Sequence, residues 1–341
     1  MWMKIVLLGL VALAGASFAK TVELPQVSTT CLKVFPHYPY IPIFATKWPE
    51  GTIIGDTAPA KNMFAVKAEN WLQPDAEFER KLPLRRALYL DNPGEVFAVH
   101  PDYKQSALRA GTELLKKLAG HLTEHFPSHY RLHLDAVEIA PLKLKISLGE
   151  DGIHPLVKCG LLIQDDITLS FKSPQGGYVL GAGFLSTPSD WSLTQKLGKS
   201  PLQIHETVPG YADKIAKMVD GLFRSISPDK IHGRNNWKLY TDPTESISLW
   251  RASQYTGVEV TAANVAHAVY LRTEWQTLIR LPESEAVAFT IRPRTFRLPH
   301  LKQIAPAVAL QIAAALKKGE THNGLHDEWA GLVGDYLSRP D

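Results

Sequence analysis

The residues of this 341-residue chain best suited to bind a metal or a prosthetic group are its 13 histidines, which are scattered along the sequence. His121 and His125 stand four residues apart in a stretch with helical periodicity, which is the spacing of paired metal ligands on one helix face. Without a third ligand placed nearby, we interpret them as a solvent-facing pair. The sequence has no GxSxG, HExxH, GxGxxG or phosphate-loop motif, so it lacks the signatures of common hydrolases, zinc proteases and nucleotide-binding enzymes.

His205 lies in the sequence IHETVP, ahead of a helix that the periodicity predicts over residues 211–226. Pro209 restricts the backbone before that helix, so the sequence predicts a turn that holds His205 in a defined direction. A neutral imidazole held in this way can ligate a metal ion. The alternative is a histidine that only hydrogen-bonds within the turn.

A polar stripe runs through residues 271–282, which read LRTEWQTLIRLP. The even positions up to 280 are polar apart from Leu278, and this alternation predicts a β-strand through Gln276 with a turn before Pro282. Alternate side chains of a strand share a face. We therefore predict that four residues form one polar network: Arg272, Glu274, Gln276 and Arg280.

The remaining pattern predicts an α+β fold in which helices pack around an antiparallel sheet. Apolar stripes predict helices over residues 104–126 and 329–337, and a helix that ends at Lys317 with Pro306 near its start. Short apolar runs between turns predict an antiparallel meander over residues 142–186, with Cys159 on a strand, and another strand over 286–291. We expect residues 20–100 to form an extended, wrapping segment and residues 101–341 to form the main domain.

The N-terminal residues have the pattern of a targeting segment. Lys4 precedes an apolar run over residues 5–14, and small residues lead to Ala19. This predicts a signal peptide over residues 1–19, or alternatively a retained signal anchor. We therefore expect a protein that is secreted or membrane-anchored through this segment, with a membrane contact only if the segment is retained.

The charge and the cysteines add two expectations. The net charge of +3 is too small to indicate nucleic acid as a partner. The two cysteines, Cys31 and Cys159, form either one disulfide or two separate buried thiols.

Four blocks of the sequence occur in the order and spacing of a known family. They are GLLIQDD at residues 160–166, PSDWSLTQKLGKSPLQIHETVPGY at 188–211, RNNW at 234–237 and RTEWQTLIRLPESEAVAFTIR at 272–292. Over roughly residues 60–340 the chain resembles the α-subunit family of haem-dependent oxidative N-demethylases. Three positions depart from the family pattern, because Asp165 replaces Glu, Ser186 replaces Cys and Trp275 replaces Arg or His.

The resemblance implies a PAS-like sheet, haem b as cofactor and His205 as the axial ligand of the iron. The residues that it implies for the rest of the haem pocket, including the cations that would pair with the propionates, are Lys196, Arg272, Glu274, Gln276, Arg280 and Arg292. It implies that Asp165 and Gln164 lie near a small amine substrate, whose N-methyl group is oxidised and released as formaldehyde. Electrons would come from an external donor, a separate reductase, because this sequence carries no flavin or nicotinamide signature. A non-catalytic haem- or ligand-binding PAS-type module is the alternative.

Overall fold

The computed structural model describes residues 45–47, 63–188, 191–206, 216–241, 258–319 and 327–340. Within them, helices surround two antiparallel sheets, which confirms the predicted α+β class. The strands are β1 Phe64–Val66, β2 Phe97–Val99, β3 Tyr130–Leu132, β4 Ala136–Ile139, β5 Leu144–Ser147, β6 Asp166–Lys172, β7 Tyr178–Phe184, β8 Ile231–Tyr240, β9 Tyr270–Arg280 and β10 Val287–Arg297. The helices are α1 Phe78–Asp91, α2 Pro93–Val96, α3 Lys104–His125, α4 Pro155–Leu162, α5 Leu193–Lys196, α6 Pro201–Ile204, α7 Ala216–Ser225, α8 Val265–Ala268, α9 Leu298–Ile304, α10 Pro306–Lys317 and α11 Asp327–Ser338.

The larger sheet has the strand order β1-β8-β9-β10-β6-β7-β2. Its centre is the long β9–β10 pair, in which Thr277 stands opposite Thr290. The β6–β7 hairpin joins the other edge of β10, where Asp166 stands opposite Ile291. Because side chains alternate along a strand, the sheet has two faces. The side chains of Arg272 and Thr277, both in β9, project from opposite faces. We name the two faces the Arg272 face and the Thr277 face after them.

Two groups of helices cover the Thr277 face. The first group, α1, α3 and α4, packs at the β6 end, and three leucines of α3, Leu114, Leu118 and Leu122, are buried there. Each contributes about 1.5–3 kcal/mol relative to an exposed side chain. The second group, α8 to α11, packs at the other end, around Leu271 and Phe296. Polar residues of this face that lie between the two groups are therefore shielded from solvent.

The predicted meander over residues 142–186 is divided between two sheets. Strand β5 pairs with β4 in the small sheet β3-β4-β5, whereas β6 and β7 belong to the larger sheet. Between them α4 is a helix, so the prediction of a strand at Cys159 was wrong. The His154 ring accepts a hydrogen bond from Leu156 N (3.1 Å) and Pro155 is the first helical residue, two signals of a helix start. Gly160 lets α4 approach β7, because a Cβ there would lie 2.2 Å from the Phe184 ring.

Residues 78–91 form a helix inside the stretch that was expected to be extended. Pro83 removes one helical hydrogen bond, but Leu84 and Leu88 of the same helix are buried in the core, so packing outweighs the loss. The other predicted elements are confirmed. Strand β10 begins within one residue of its expected start, and the helices over residues 104–125, 306–317 and 327–338 match, with Pro306 as the first residue of its helix.

Three predictions fall outside the described residues: the N-terminal targeting segment, Cys31, and the turn at Val208-Pro209 with the start of the helix that follows it. Among the helices in the described ranges, none has the length and apolar character needed to cross a membrane.

Candidate functional site

A row of polar side chains lies on the Arg272 face across β8 and β9. In the strand register Arg234 stands opposite Gln276, and Asn236 stands opposite Glu274. Glu274 accepts hydrogen bonds from Arg272 Nε (3.2 Å), Gln276 Nε2 (2.8 Å) and Asn236 Nδ2 (3.3 Å). Arg234 Nε donates to Gln276 Oε1 (2.7 Å). These five residues, which we call the Arg272 row, form one continuous hydrogen-bonded chain, and its Arg272 end is 2% exposed.

Arg280 is not part of this row. It donates to the backbone carbonyls of Phe223 (2.5 Å) and Ile226 (2.8 Å), where α7 ends, and to that of Glu285 (3.0 Å) in the β9–β10 connection. A guanidinium satisfies helix-end carbonyls that have no partner within the helix. The prediction of one network is therefore confirmed for three of its four residues and is wrong for Arg280, which lies at the far end of the strand.

His205 lies at the end of α6, within electrostatic range of Arg234. Its Nδ1 is 2.7 Å from the carbonyl oxygen of Pro201. A carbonyl can only accept, so Nδ1 carries the hydrogen and the lone pair of the neutral ring is on Nε2. Burial lowers the pKa of His205; the hydrogen bond to Pro201 opposes this, and the positive charges of Lys196 and Arg234 add to it.

Helix α6 holds this imidazole in place. Ser200 and Gln203 form a reciprocal capping box at the helix start, with Pro201 as the first helical residue. Lys196 Nζ, at the end of α5, donates to the carbonyl of Ile204 (2.7 Å). The predicted Lys196 is thus held against the residue before His205, and the charges of Lys196 and Arg234 both act on the His205 ring.

The chain after β7 connects the Arg272 row to the β6 strand. Arg272 Nη2 donates to the carbonyl of Thr187. The backbone amides of Ser186 (2.8 Å) and Thr187 (3.1 Å) donate to the carboxylate of Asp166, which also pairs with Arg85 at 2.7 Å. Both charged groups of that pair are at most 3% exposed, so this connection is a buried, fixed part of the fold.

A second polar group lies on the Thr277 face. Arg292 binds one carboxylate oxygen of Asp165 through Nε (3.0 Å) and Nη2. Asp75 is held by Gln164 Nε2 (2.5 Å) and Arg294 Nε (3.0 Å). We call these five residues the Asp165 cluster. Its charged members are two arginines and two aspartates, so its net charge is zero, and Asp165 is wholly buried.

The titration of the cluster reflects its burial. Burial raises the pKa of Asp75, but the charges of Lys81, Arg292 and Arg294 outweigh it and hold that pKa well below its usual range. Burial lowers the pKa of Lys81 to about 8, although Asp75 opposes the shift. Lys81 Nζ donates to the carbonyl of Pro293 (2.7 Å). Asp75 is thus locked in its charged form by its neighbours.

The strand register separates the predicted site residues into two groups. Arg292 stands opposite Trp275, whereas Ile291 stands opposite Gln276, so Arg292 and the Arg272 row project from opposite faces. His205, Lys196, Arg272, Glu274 and Gln276 belong together on one face; Gln164, Asp165 and Arg292 belong together on the other. The structure therefore distributes the expected site residues over two faces of the sheet.

Two further residues considered in the sequence, Cys159 and His121, are both buried. The Cys159 thiol is fully buried in the core, and burial raises its pKa far above the usual range, so it stays protonated. His121 is 8% exposed and packs against Trp71 with 5.0 Å between ring centroids, so it does not face solvent. Among the residues that the structure describes, no group of three or more His, Cys, Asp or Glu side chains could hold a metal ion.

Several residues of these sites were not predicted from the sequence. Arg234 and Asn236 were quoted within the RNNW block but given no role, although their alternation on a strand was a usable signal. Asp75 and Asp166 had no local signal, because their partners lie 219 and 81 residues away in the sequence.

Comparison with known protein families gives an independent result. The model of the family described as haem-dependent oxidative N-demethylase, alpha subunit-like, matches residues 62–326. The match covers well over half of the chain and includes both polar groups of the sheet. The chain therefore belongs to the haem-dependent oxidative N-demethylase alpha-subunit-like family.

Proposed function

We propose that the protein is a haem-dependent oxidoreductase that binds haem b on the Arg272 face, with His205 as the axial ligand. The observation that carries this proposal is the hydrogen bond from His205 Nδ1 to the Pro201 carbonyl. It leaves the lone pair on Nε2, the arrangement usual for a histidine that ligates a metal, whose other nitrogen is oriented by a carbonyl or carboxylate.

The chemistry of the donor set on this face fits haem. A histidine can ligate the haem iron only as a neutral imidazole, and burial favours the neutral form of His205. Haem also carries two propionates, which pair best with arginine or lysine. Lys196, Arg234 and Arg272 lie on the side of the sheet that carries His205, and among the charges of the Arg272 row itself two arginines face one glutamate. Lys196, Arg234 and Arg272 are therefore the residues that would hold the propionates.

The proposed reaction is the oxidation of a small amine or a related metabolite, such as oxidative N-demethylation. When bound, haem supplies the oxygen chemistry that the side chains themselves lack. The protein would hold His205 in one tautomer, orient Arg272 and Arg234 through Glu274 and Gln276, and exclude water. Glu274 is a carboxylate of this face that could accept a hydrogen bond from a protonated amine, whereas Asp165, which was expected near the substrate, lies on the other face.

We further propose a fold class for the sheet and two partners for the protein. The antiparallel strands with helices packed on them support a PAS-like scaffold. We also propose a small-molecule substrate and a separate reductase as the external electron donor, because the sequence lacks motifs for flavin or nicotinamide.

The test is the optical spectrum of the protein expressed with a supply of haem. Wild type should show a Soret band, and His205→Ala should lose haem or shift that band while its far-UV circular dichroism is unchanged. Added imidazole should restore the wild-type band in His205→Ala, because it replaces the missing ligand. The matched control is His267→Ala, since His267 is exposed on α8. A His205→Ala protein with the wild-type spectrum would show that the iron has another ligand.

A second candidate is a haem- or ligand-binding module without turnover. One observation favours it: Asp165 and Gln164, the residues predicted to act on substrate, are bound to Arg292 and Asp75 on the opposite face. A Soret band without turnover of amines, in the presence of oxygen and a reductant, supports the module. Formaldehyde release that is lost in Glu274→Gln supports the enzyme.

A further inference from the structure

A buried imidazole on α3 has an unused nitrogen. His121 donates a hydrogen bond to the backbone of Leu72, and its Nε2 is inaccessible to solvent and has no hydrogen-bond partner. A neutral imidazole with one nitrogen donating carries its lone pair on the other. An unsatisfied buried polar atom in a native protein calls for an explanation, and an ion or a water molecule is a common one.

A second imidazole lies next to the first. His125 is one helical turn further along α3, and the two ring centroids are 4.9 Å apart. Two imidazoles bound to one metal at about 2.0–2.1 Å have centroids about 5 Å apart. His125 is less buried than His121, so an ion can approach from its side.

One charged side chain on the same helix bears on the strength of this site. Lys117, four residues before His121, would repel a cation and therefore weaken the site.

We propose that His121 and His125 form a binding site for a divalent late transition metal, such as Zn²⁺, whose water ligands lie on the more exposed His125 side. Imidazole suits zinc, copper and nickel better than magnesium or calcium. The described residues provide no third His, Cys, Asp or Glu ligand, so the site is open rather than closed. Bound metal would connect α3 to the Trp71–Leu72 segment, which packs against His121.

Calorimetric titration of the full-length, untagged protein with Zn²⁺ tests the proposal. We expect one site whose affinity falls at least tenfold in His125→Ala, and a rise in melting temperature with Zn²⁺ that this variant lacks. His133→Ala is the matched control, because His133 pairs with Glu138 at the surface of the small sheet. Equal affinity in His125→Ala and wild type, or no binding in wild type, overturns the proposal.

A gain of affinity provides a second test that does not depend on removing a buried side chain. Lys117→Glu replaces the repelling ammonium with a carboxylate on the same helix face, one turn before His121. We expect Zn²⁺ to bind at least tenfold more tightly to this variant. An unchanged affinity would mean that zinc binds elsewhere and would contradict the assignment.

Discussion

The two polar groups of the sheet, the Asp165 cluster and the Arg272 row, differ in charge balance and in exposure to solvent. The Asp165 cluster is closed: its four charges cancel, Asp165 is wholly buried, and helices cover its face on both sides. The Arg272 row has two arginines for one glutamate, ends beside His205, and includes the half-buried Arg234 and Asn236.

This difference separates a structural role from a binding role. Burying a charge costs several kcal/mol unless it is paired. In the Asp165 cluster each charged group has an opposite charge beside it, although Oδ1 of Asp165 is buried without a hydrogen-bond partner. Under the proposed function, a row with two arginines for one glutamate, near a neutral imidazole, would gain from an anionic, metal-containing cofactor. Residues that look equally polar in the sequence would then differ in role according to the face from which they project.

Among the substitutions considered, Asp165→Asn is expected to lower the free energy of unfolding most. The substitution leaves Arg292 buried without its counter-charge, so the free energy of unfolding should fall by about 3–5 kcal/mol. Urea denaturation measures the loss, and the fraction that remains folded should keep the wild-type Soret band. Asp102→Asn is the control, because that carboxylate is 82% exposed. A loss below about 1 kcal/mol would contradict a structural role.

Glu274→Gln should have a smaller effect on stability and a larger one on the cofactor. It removes the charged acceptor shared by Arg272, Gln276 and Asn236, so we expect a loss of about 2 kcal/mol in unfolding free energy. Haem titration should show a several-fold weaker affinity, because Arg272 and Gln276 lose their common partner. If haem affinity is unchanged, the Arg272 row does not bind the cofactor.

Acid should affect the rest of the fold before it affects the Asp165 cluster. Burial lowers the pKa of His154 to about 4, so only the unfolded chain takes up a proton there as the pH falls below about 6.5. The stability that the neutral His154 contributes to the fold is complete above pH 6.5 and is lost as the pH falls towards 4. The contribution of Asp75 is lost only below about pH 4, since its pKa is depressed further still.

His154→Asn isolates the histidine contribution, because asparagine can still accept the hydrogen bond from Leu156 N. Between pH 7 and 4.5 the stability of this variant should fall by about 1–2 kcal/mol less than that of wild type. Denaturation curves at several pH values measure the difference. Parallel pH profiles for the two proteins would contradict the assignment.

The smallest effect is expected from Arg280→Lys. Lysine cannot reach all three carbonyls that Arg280 binds, so we expect a loss of about 1 kcal/mol. The Soret band should be unchanged, since Arg280 lies outside the Arg272 row. A shifted band would place Arg280 with the cofactor after all.

Local pattern predicted the elements well and the sites only in part. The alternation of residues 272–276 identified a strand and three members of the Arg272 row, because period-two spacing alone decides which side chains share a face. It could not assign Arg292 to the other face, since that depends on the register between β9 and β10. Cys159 was misplaced because a short apolar run is compatible with either a strand or a buried helix.

The long sequence separations within the Asp165 cluster have a consequence for the order of folding. The arginine that binds Asp75, Arg294, follows it by 219 residues in the sequence. The arginine that binds Asp165, Arg292, follows it by 127 residues. Until β10 has been synthesised, Asp165 lacks the arginine that binds it, and Asp75 has only Lys81 of its three positive neighbours. Helix α3 and the β6–β7 hairpin can form early from local contacts. The core between the two helix groups can pack completely only after β10 has been synthesised. A chain that ends before residue 292 would therefore have secondary structure, but its Asp165 carboxylate could not be buried together with a counter-charge.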